Sequence, residues 1–188
     1  MAVKLFIPQL IAPSIITLLM TGCGSDNDSS PRAAAPVTKT GIFLDAEVSG
    51  LSYAASPSGL SGITNTTGVF NYRDNDTLSF SLGGITIGTA RTIAANAAPL
   101  PSGVSTEDIA LNIAILLQSL DEDGNPGNGI TISATTATAA ANTTLNFGVP
   151  SADFVNDQSL AQLANDTGKT IVSPTAAAEH TSGTVRKQ

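Results

Sequence analysis

Residues 105–120 have the sequence STEDIALNIAILLQSL, which is the clearest helical pattern in the chain. Ser105 is a favourable N-terminal cap, and Glu107 and Asp108 place acidic side chains at the positive end of the helix dipole. The apolar residues that follow cover most of the helix circumference, and a helix of this kind is buried. The pattern therefore predicts a central core helix over residues 106–120, packed against a sheet. The polar positions within its apolar part are Asn112, Gln118 and Ser119.

The segment before this helix, residues 41–92, alternates apolar and polar side chains in short runs. Residues 78–82, LSFSL, are the clearest example, and Gly83-Gly84 then forms a tight turn. Alternation with period two between Gly and Asn turns is typical of an antiparallel, half-buried sheet of about five strands here. We expect an α+β fold, with a small antiparallel β-sandwich or open barrel packed on the helix. Residues 41–185 would form one folded module, β-rich over 41–92 and mixed over 104–185.

An acidic, glycine-rich loop with the sequence DEDGNPGNG follows the helix at residues 121–129. Its alternating oxygen-bearing side chains resemble the start of a calcium loop, because hard cations prefer carboxylate and amide oxygens. Pro126 stands where an EF-hand has glycine, and Ile132 stands where it has glutamate, so the loop is not an EF-hand. The same residue types are common in solvated helix-to-strand turns. If the loop holds calcium, the candidate ligands are Asp121, Asp123, Asn125 and Asn128.

The remaining sequence predicts smaller elements. Residues 130–133 and 144–147 are apolar enough to form a β-hairpin around a connection rich in Ala and Thr. Two short helices are then predicted: one is capped by Asp153 or Asn156, runs through Leu160 and Leu163 and closes near Gly168, and the other is capped by Ser173 and extends from Pro174 to about Ser182.

The N-terminal segment has the layout of a secretory signal peptide. Lys4 precedes an apolar stretch, and small residues lead into Cys23, the only cysteine in the chain. The sequence Leu19-Met20-Thr21-Gly22-Cys23 resembles the lipobox of bacterial lipoproteins, with Met20 in place of the usual leucine. We expect cleavage between Gly22 and Cys23, removal of residues 1–22, and attachment of acyl chains such as palmitate at Cys23. A transmembrane anchor would need about 20 apolar residues, more than this proline-interrupted stretch provides.

Residues 23–40 are rich in Ser, Asp, Pro and Ala, and they predict a disordered, lipidated tether. Gly24 after the cysteine favours the outer membrane or cell surface, by analogy with enterobacterial sorting. Without residues 1–22 the chain keeps seven basic and fifteen acidic side chains, a formal charge of −8. Such an acidic chain is a poor candidate for binding nucleic acid or anionic lipid through charge. The predicted membrane contact is therefore the lipid anchor.

Two further resemblances accompany the lipobox. Thr64-Asn65-x-x-Gly68-x-Phe70 resembles the hairpin of transthyretin-like and carboxypeptidase regulatory-like modules, which have Asp at the position of Asn65. Together with VSGxxY at residues 48–53 and LNIAxLLQSLDxDGNPxNGI at residues 111–130, the chain is similar to a family of uncharacterised proteobacterial lipoproteins. That resemblance implies a lipoprotein with one integrated domain, and it implies no ligand or reaction.

Catalytic motifs are missing from the sequence. There is no G-x-S-x-G, H-E-x-x-H, P-loop or C-x-x-C, and the only histidine, His180, falls on the predicted last helix. We therefore expect a non-enzymatic lipoprotein with a binding or structural role. The alternatives are a periplasmic hydrolase or accessory component of an envelope enzyme or transporter, and a carrier of small apolar ligands with a pocket beside Ile113 and Leu117.

Overall fold

The computed structural model describes residues 37–43, 47–91 and 105–185, and these residues form an α+β fold, as the sequence predicts. The strands are β1 (Lys39–Ile42), β2 (Val48–Ser49), β3 (Ser52–Ser56), β4 (Ser61–Ile63), β5 (Val69–Tyr72), β6 (Thr77–Leu82), β7 (Ile85–Arg91) and β8 (Ile130–Thr131). The helices are α1 (Thr106–Ser119), α2 (Ala134–Ala139), α3 (Ser151–Phe154), α4 (Gln158–Thr167) and α5 (Pro174–Val185), with a 3₁₀ turn at Ala140–Asn142.

The N-terminal strands form two separate antiparallel sheets, neither of which is closed. The larger has the order β4-β3-β6-β7, and the smaller is β1-β5. In β6 the side chains of Leu78, Phe80 and Leu82 are buried, which confirms the alternation expected from the sequence. The predicted turn at Gly83-Gly84 is confirmed as the connection of the β6–β7 hairpin.

Aromatic rings join the two sheets. Phe70 on β5 lies with its ring centroid 5.0 Å from that of Phe80 on β6 and 5.9 Å from that of Tyr53 on β3. Tyr72 lies 6.1 Å from Phe70 by the same measure, and the three neighbours are all buried. Because these rings come from both sheets, their burial is a principal contact between them.

The predicted turn after Thr64 is present, but its flanking strands do not pair as a hairpin. The Asn65 side-chain oxygen accepts hydrogen bonds from the main-chain N–H groups of Thr67 at 3.0 Å and Val69 at 2.9 Å. An Asn side chain can therefore hold this turn, at the position where the modules that this segment resembles have Asp. The strand before the turn, β4, pairs with β3, whereas the strand after it, β5, pairs with β1. The hairpin part of the prediction is wrong because each strand finds its partner in a different sheet.

Helix α1 is the predicted core helix, with Ser105 and Asp108 forming a reciprocal capping box at its start. The second half is buried on all sides, and its apolar side chains share one hydrophobic cluster with those of the sheets. Its closest helical neighbours are α5 and α3. The three polar residues that interrupt its apolar surface are buried as well: Asn112, Gln118 and Ser119.

These polar side chains fasten the C-terminal part of the chain to α1. The Asn112 amide donates to the main-chain oxygens of Phe147 at 3.0 Å and Val149 at 2.8 Å. The Ser119 hydroxyl accepts the main-chain N–H of Val172 at 2.8 Å. Gln118 reaches the main-chain oxygen of Ala177 at 3.4 Å. The polar positions of α1 therefore hold irregular segments whose main chain would otherwise lack partners.

Replacing Asn112 with leucine is expected to lower the free energy of unfolding by about 2 kcal/mol, because two carbonyl oxygens lose their donor. Asn156→Ala is the matched control, since Asn156 also donates to a carbonyl, that of Ala152 at 2.7 Å, but at an exposed site. The control should change stability by less than about 0.5 kcal/mol. Urea unfolding of both variants measures the difference, and equal losses would contradict the role given to Asn112.

The β-hairpin predicted from residues 130–133 and 144–147 is wrong. Strand β8 pairs in parallel with β2, with Val48 opposite Ile130, and residues 144–147 form no strand. The Ala- and Thr-rich connection is helical instead, because the Ser133 hydroxyl accepts the main-chain N–H of Thr136 and caps α2. A distant strand thus replaces the local partner that the pattern indicated.

Helices α4 and α5 agree with the sequence except at their ends, whereas α3 was not predicted. Helix α4 is capped by Asp157 rather than by Asp153 or Asn156, because the Asp157 carboxylate accepts the N–H groups of the first turn. It closes at Gly168 as expected. The last helix begins at Pro174 as predicted and continues three residues beyond the expected end, to Val185.

The folded part begins two residues earlier than expected. The predicted tether reached residue 40, but β1 begins at Lys39, which pairs with Tyr72 and forms an ion pair with Asp74 at 2.7 Å. The hydrogen-bonded partner strand therefore draws the last residues of the predicted tether into the sheet. Residues 44–46 and 92–104, which fall within the predicted module, lie outside the described residues.

Candidate functional site

The acidic loop, residues 121–129, connects the end of α1 to β8, and both of its ends are fixed. The Leu120 N–H donates to the Leu116 carbonyl at 3.1 Å and closes the helix. At the other end, the Ile130 N–H donates to the Glu47 carbonyl at 3.0 Å, where β8 lies beside β2. The loop is therefore held between the core helix and the N-terminal half of the chain.

Asp121, the first residue of this loop, is almost completely buried, with 1% of its surface exposed. Its Oδ1 accepts the main-chain N–H of Thr131 at 2.8 Å, and the Glu122 N–H donates to the Thr131 carbonyl at 2.9 Å. Its Oδ2 is buried and has no hydrogen-bond partner. A carboxylate oxygen in this state is unusual, because buried polar atoms are nearly always paired.

Asp123 organises the exposed part of the loop. Its Oδ1 accepts the main-chain N–H of Asn125 at 2.8 Å, and its Oδ2 accepts the side-chain amide of Asn128, also at 2.8 Å. The Asp123 carboxyl is also close enough to the Asp121 carboxyl to raise its pKa. The loop thus brings two acidic groups together at the end of a helix, where the negative end of the helix dipole already disfavours anions.

The two carboxyl groups have opposite pKa shifts. Burial raises the pKa of Asp121 above its usual value, and the neighbouring Asp123 carboxylate raises it further. The hydrogen bonds from the Asn128 side chain and the Asn125 main chain hold the pKa of Asp123 below its usual value. Asp123 is therefore the more readily ionised member of the pair, and its charge faces the buried Asp121 carboxyl.

The four predicted calcium ligands are brought together in part. The Asn128 and Asp123 side chains are hydrogen-bonded, and the Asp123 carboxyl is near enough to raise the pKa of Asp121. The Asn125 side-chain oxygen instead accepts the Gly127 N–H at 3.3 Å. Within residues 37–43, 47–91 and 105–185, no group of three or more His, Cys, Asp or Glu side chains is arranged to hold a metal ion. A cation here would need amide and main-chain oxygens beside the two carboxylates.

Two residues at this site could not be identified from the sequence. The Thr131 main chain anchors Asp121, and the Lys169 ammonium donates to the main-chain oxygen of Glu122 at 2.8 Å. Lys169 comes from the segment after α4, so its approach depends on tertiary packing and leaves no local pattern. Among the described residues the one ion pair found joins Lys39 to Asp74, so neither loop carboxylate has a basic partner there.

The remaining predicted site residues lie elsewhere. The predicted signal peptide, Gly22 and Cys23 are outside the described residues. His180 lies on α5, the last helix, as the sequence predicts, and it is half-buried there. None of the helices in the described ranges combines the length and apolar composition required to cross a bilayer.

Comparison of the chain with protein-family models, curated proteins and solved structures found no match.

Proposed function

We propose that the protein is a lipid-anchored lipoprotein of the bacterial envelope, at the outer membrane or cell surface, with a non-enzymatic binding or structural role. The observation that carries this proposal is the sequence Leu19-Met20-Thr21-Gly22-Cys23 at the end of a short apolar segment. Lipid attached to Cys23 would hold the module at a membrane without a spanning helix.

The position of the first strand supports this arrangement. Lys39, where β1 begins, lies 16 positions after Cys23, and the segment between them is polar and proline-containing. If this segment is the disordered tether that its composition predicts, its end-to-end distance is about 20–25 Å. The folded module would then act close to the bilayer, and its partner would have to lie within this reach.

The hydrogen bonds of Asp76 support a structural rather than a catalytic role for this carboxylate. Asp76 is buried, and its oxygens accept the Ser58 N–H at 2.9 Å, the Ser58 hydroxyl at 2.6 Å and the Arg73 N–H at 2.7 Å. Burial alone would raise the pKa of Asp76, but these hydrogen bonds outweigh it and lower the pKa below its usual value. A carboxylate held ionised by several donors ties two turns together and makes a poor proton donor at neutral pH.

Cys23→Ala is expected to abolish acylation and cleavage, because the thiol that receives the lipid is lost. In cells fed a labelled fatty acid, the variant should incorporate no label, migrate as the uncleaved precursor and leave the outer-membrane fraction. Met20→Leu is the matched control, since it changes the same segment toward the usual lipobox and should be labelled and processed like the wild type. Acyl labelling of Cys23→Ala equal to wild type would overturn the proposal.

A further inference from the structure

We infer that the loop from Asp121 to Asn128 binds one calcium ion, with the carboxylates of Asp121 and Asp123 as its charged ligands. The inference depends on the loop alone and holds whether or not Cys23 carries lipid. Its starting point is the buried carboxylate of Asp121, which has one oxygen bonded to Thr131 and the other without a donor, in a loop that holds a second carboxylate two positions away.

The burial of Asp121 is the decisive observation. An acidic cluster at the surface is explained by solvation, but Asp121 is only 1% exposed, and its Oδ2 cannot be satisfied by bulk water. The adjoining groups are the Asp123 carboxyl and the C-terminal end of α1, and both add negative potential. Only a cation or a shared proton supplies the positive charge that this arrangement requires.

The chemistry of the available donors favours calcium among the metals. The loop sequence DEDGNPGNG contains no His or Cys, so the nitrogen and sulfur ligands preferred by zinc and copper are missing from it. Calcium accepts six to eight oxygens of mixed carboxylate, amide and carbonyl type in flexible geometry, whereas magnesium requires a near-ideal octahedron. The glycine and asparagine residues of the loop suit the flexible coordination geometry of calcium better than the octahedron of magnesium.

Asn128 would complete the site from the other end of the loop. Its amide nitrogen donates to Asp123 Oδ2 at 2.8 Å, which places a polar hydrogen against the carboxylate. A half-turn of the same amide would present its oxygen instead, which is the orientation that a cation prefers. The Lys169 ammonium binds the Glu122 carbonyl rather than either carboxylate, so it does not neutralise the charge of the pair.

A bound ion would strengthen the junction between α1 and β8. Asp121 follows the last turn of α1 and is hydrogen-bonded to Thr131 in β8, which pairs with β2. Neutralising the buried charge would remove a repulsion at the point where the two halves of the chain meet. The expected consequence of calcium is therefore higher stability of the whole module, rather than a change confined to the loop.

The test is a calcium titration of the full chain after removal of divalent ions with a chelator, followed by thermal unfolding at neutral pH. With calcium at about 100 times its dissociation constant, the melting temperature should rise by about 5–10 °C. The same concentration of magnesium should produce a clearly smaller rise. No calcium-dependent shift at about 10 mM, a concentration above the range of extracellular calcium modules, would overturn the inference.

Asp121→Asn separates a calcium site from a shared proton. The new amide can donate a hydrogen bond to Asp123, so without calcium this variant should melt at or above the wild-type temperature. It should also lose the calcium-dependent rise, as should Asp123→Asn and the double variant. Glu122→Gln is the matched control, because Glu122 is exposed and adjacent, and it should keep the full response.

Two other outcomes would overturn the calcium inference. If Asp121→Asn and the wild type gain the same stability from calcium, the ion binds elsewhere and the inference fails. If calcium has no effect while acidification alone raises the wild-type melting temperature, the pair shares a proton and the inference also fails. If Asp121→Asn does not fold, isothermal titration of Asp123→Asn against Glu122→Gln decides the same question. Loss of calcium binding in the folded full chain would leave the lipid anchor at Cys23 untouched, so the two proposals fail independently.

Discussion

Gly50→Ala is expected to lower the free energy of unfolding by about 4 kcal/mol or more, which is among the largest effects of a single substitution. Gly50 has a φ of +90°, and a Cβ built on it would overlap the carbonyl oxygen of Ile132 and come within 3.1 Å of its carbonyl carbon. Those atoms are main chain, so they cannot move aside as a side chain could. The Ile132 N–H also donates to the Ser49 carbonyl at 3.0 Å, which holds the two segments together.

Gly59→Ala is the control that isolates the overlap from the backbone conformation. Gly59 has a comparable φ of +73°, but a Cβ there would meet nothing within 4 Å. This variant should lose about 1–2 kcal/mol, the usual penalty for an L-residue in the left-handed region. Urea unfolding of both proteins measures the difference. Similar losses of unfolding free energy in Gly50→Ala and Gly59→Ala would contradict the prediction, because the overlap with the Ile132 carbonyl would then add no cost.

Phe70→Ala is expected to lower the free energy of unfolding by about 3–5 kcal/mol, the range typical of a buried phenylalanine. The ring is 2% exposed and packs among Tyr53, Tyr72 and Phe80 from two sheets. It also covers Gly41 so closely that a Cβ there would lie 2.8 Å from the Phe70 Cε2 atom. The cavity left by alanine would be walled by main chain and by neighbouring rings, so it cannot collapse fully.

The exposed Ile63 provides the comparison for this prediction. Ile63 is 67% exposed on the edge strand β4, so Ile63→Ala should change stability by less than about 0.5 kcal/mol. Guanidinium unfolding of the two variants measures their stability. The near-ultraviolet circular dichroism spectrum of each folded variant reports aromatic packing. An unchanged near-ultraviolet spectrum in Phe70→Ala would contradict the role of this ring in joining the sheets.

The elements that sequence reasoning identified are those whose signal is local. Helix α1 carries its cap, its acidic first turn and its apolar repeat within one stretch, and β6 carries a strict alternation ending at Gly83-Gly84. The parallel pairing of β2 with β8 has no such signal, because each strand is two residues long and its partner lies far along the chain. Helix α2 is absent from the prediction because its residues were assigned to the connection of a β-hairpin, whereas the Ser133 cap and the alanines favour a helix.

The candidate site was predictable in composition but not in burial. The alternating oxygens of residues 121–128 are visible in the sequence, and they indicate a turn as readily as a calcium loop. The structure adds that Asp121 is buried and bonded to Thr131, which depends on where β8 pairs. Burial of Asn112 and Gln118 on α1 was unpredictable for the same reason, since their carbonyl partners lie 35 or more positions away.

The pairing of β2 with β8 also determines when this chain can finish folding. Val48 and its partner Ile130 are 82 positions apart, and the Gly84 N–H depends on the Ala140 carbonyl at 2.9 Å. During synthesis the N-terminal half is made first, so it lacks its contacts with Ile130 and Ala140 until the chain has been extended to residue 140. If the chain is exported unfolded, as the proposed function requires, this delay is useful, because folding before export would block passage. The long-range pairing of β2 with β8, which the sequence does not reveal, also delays complete folding until most of the chain has been synthesised.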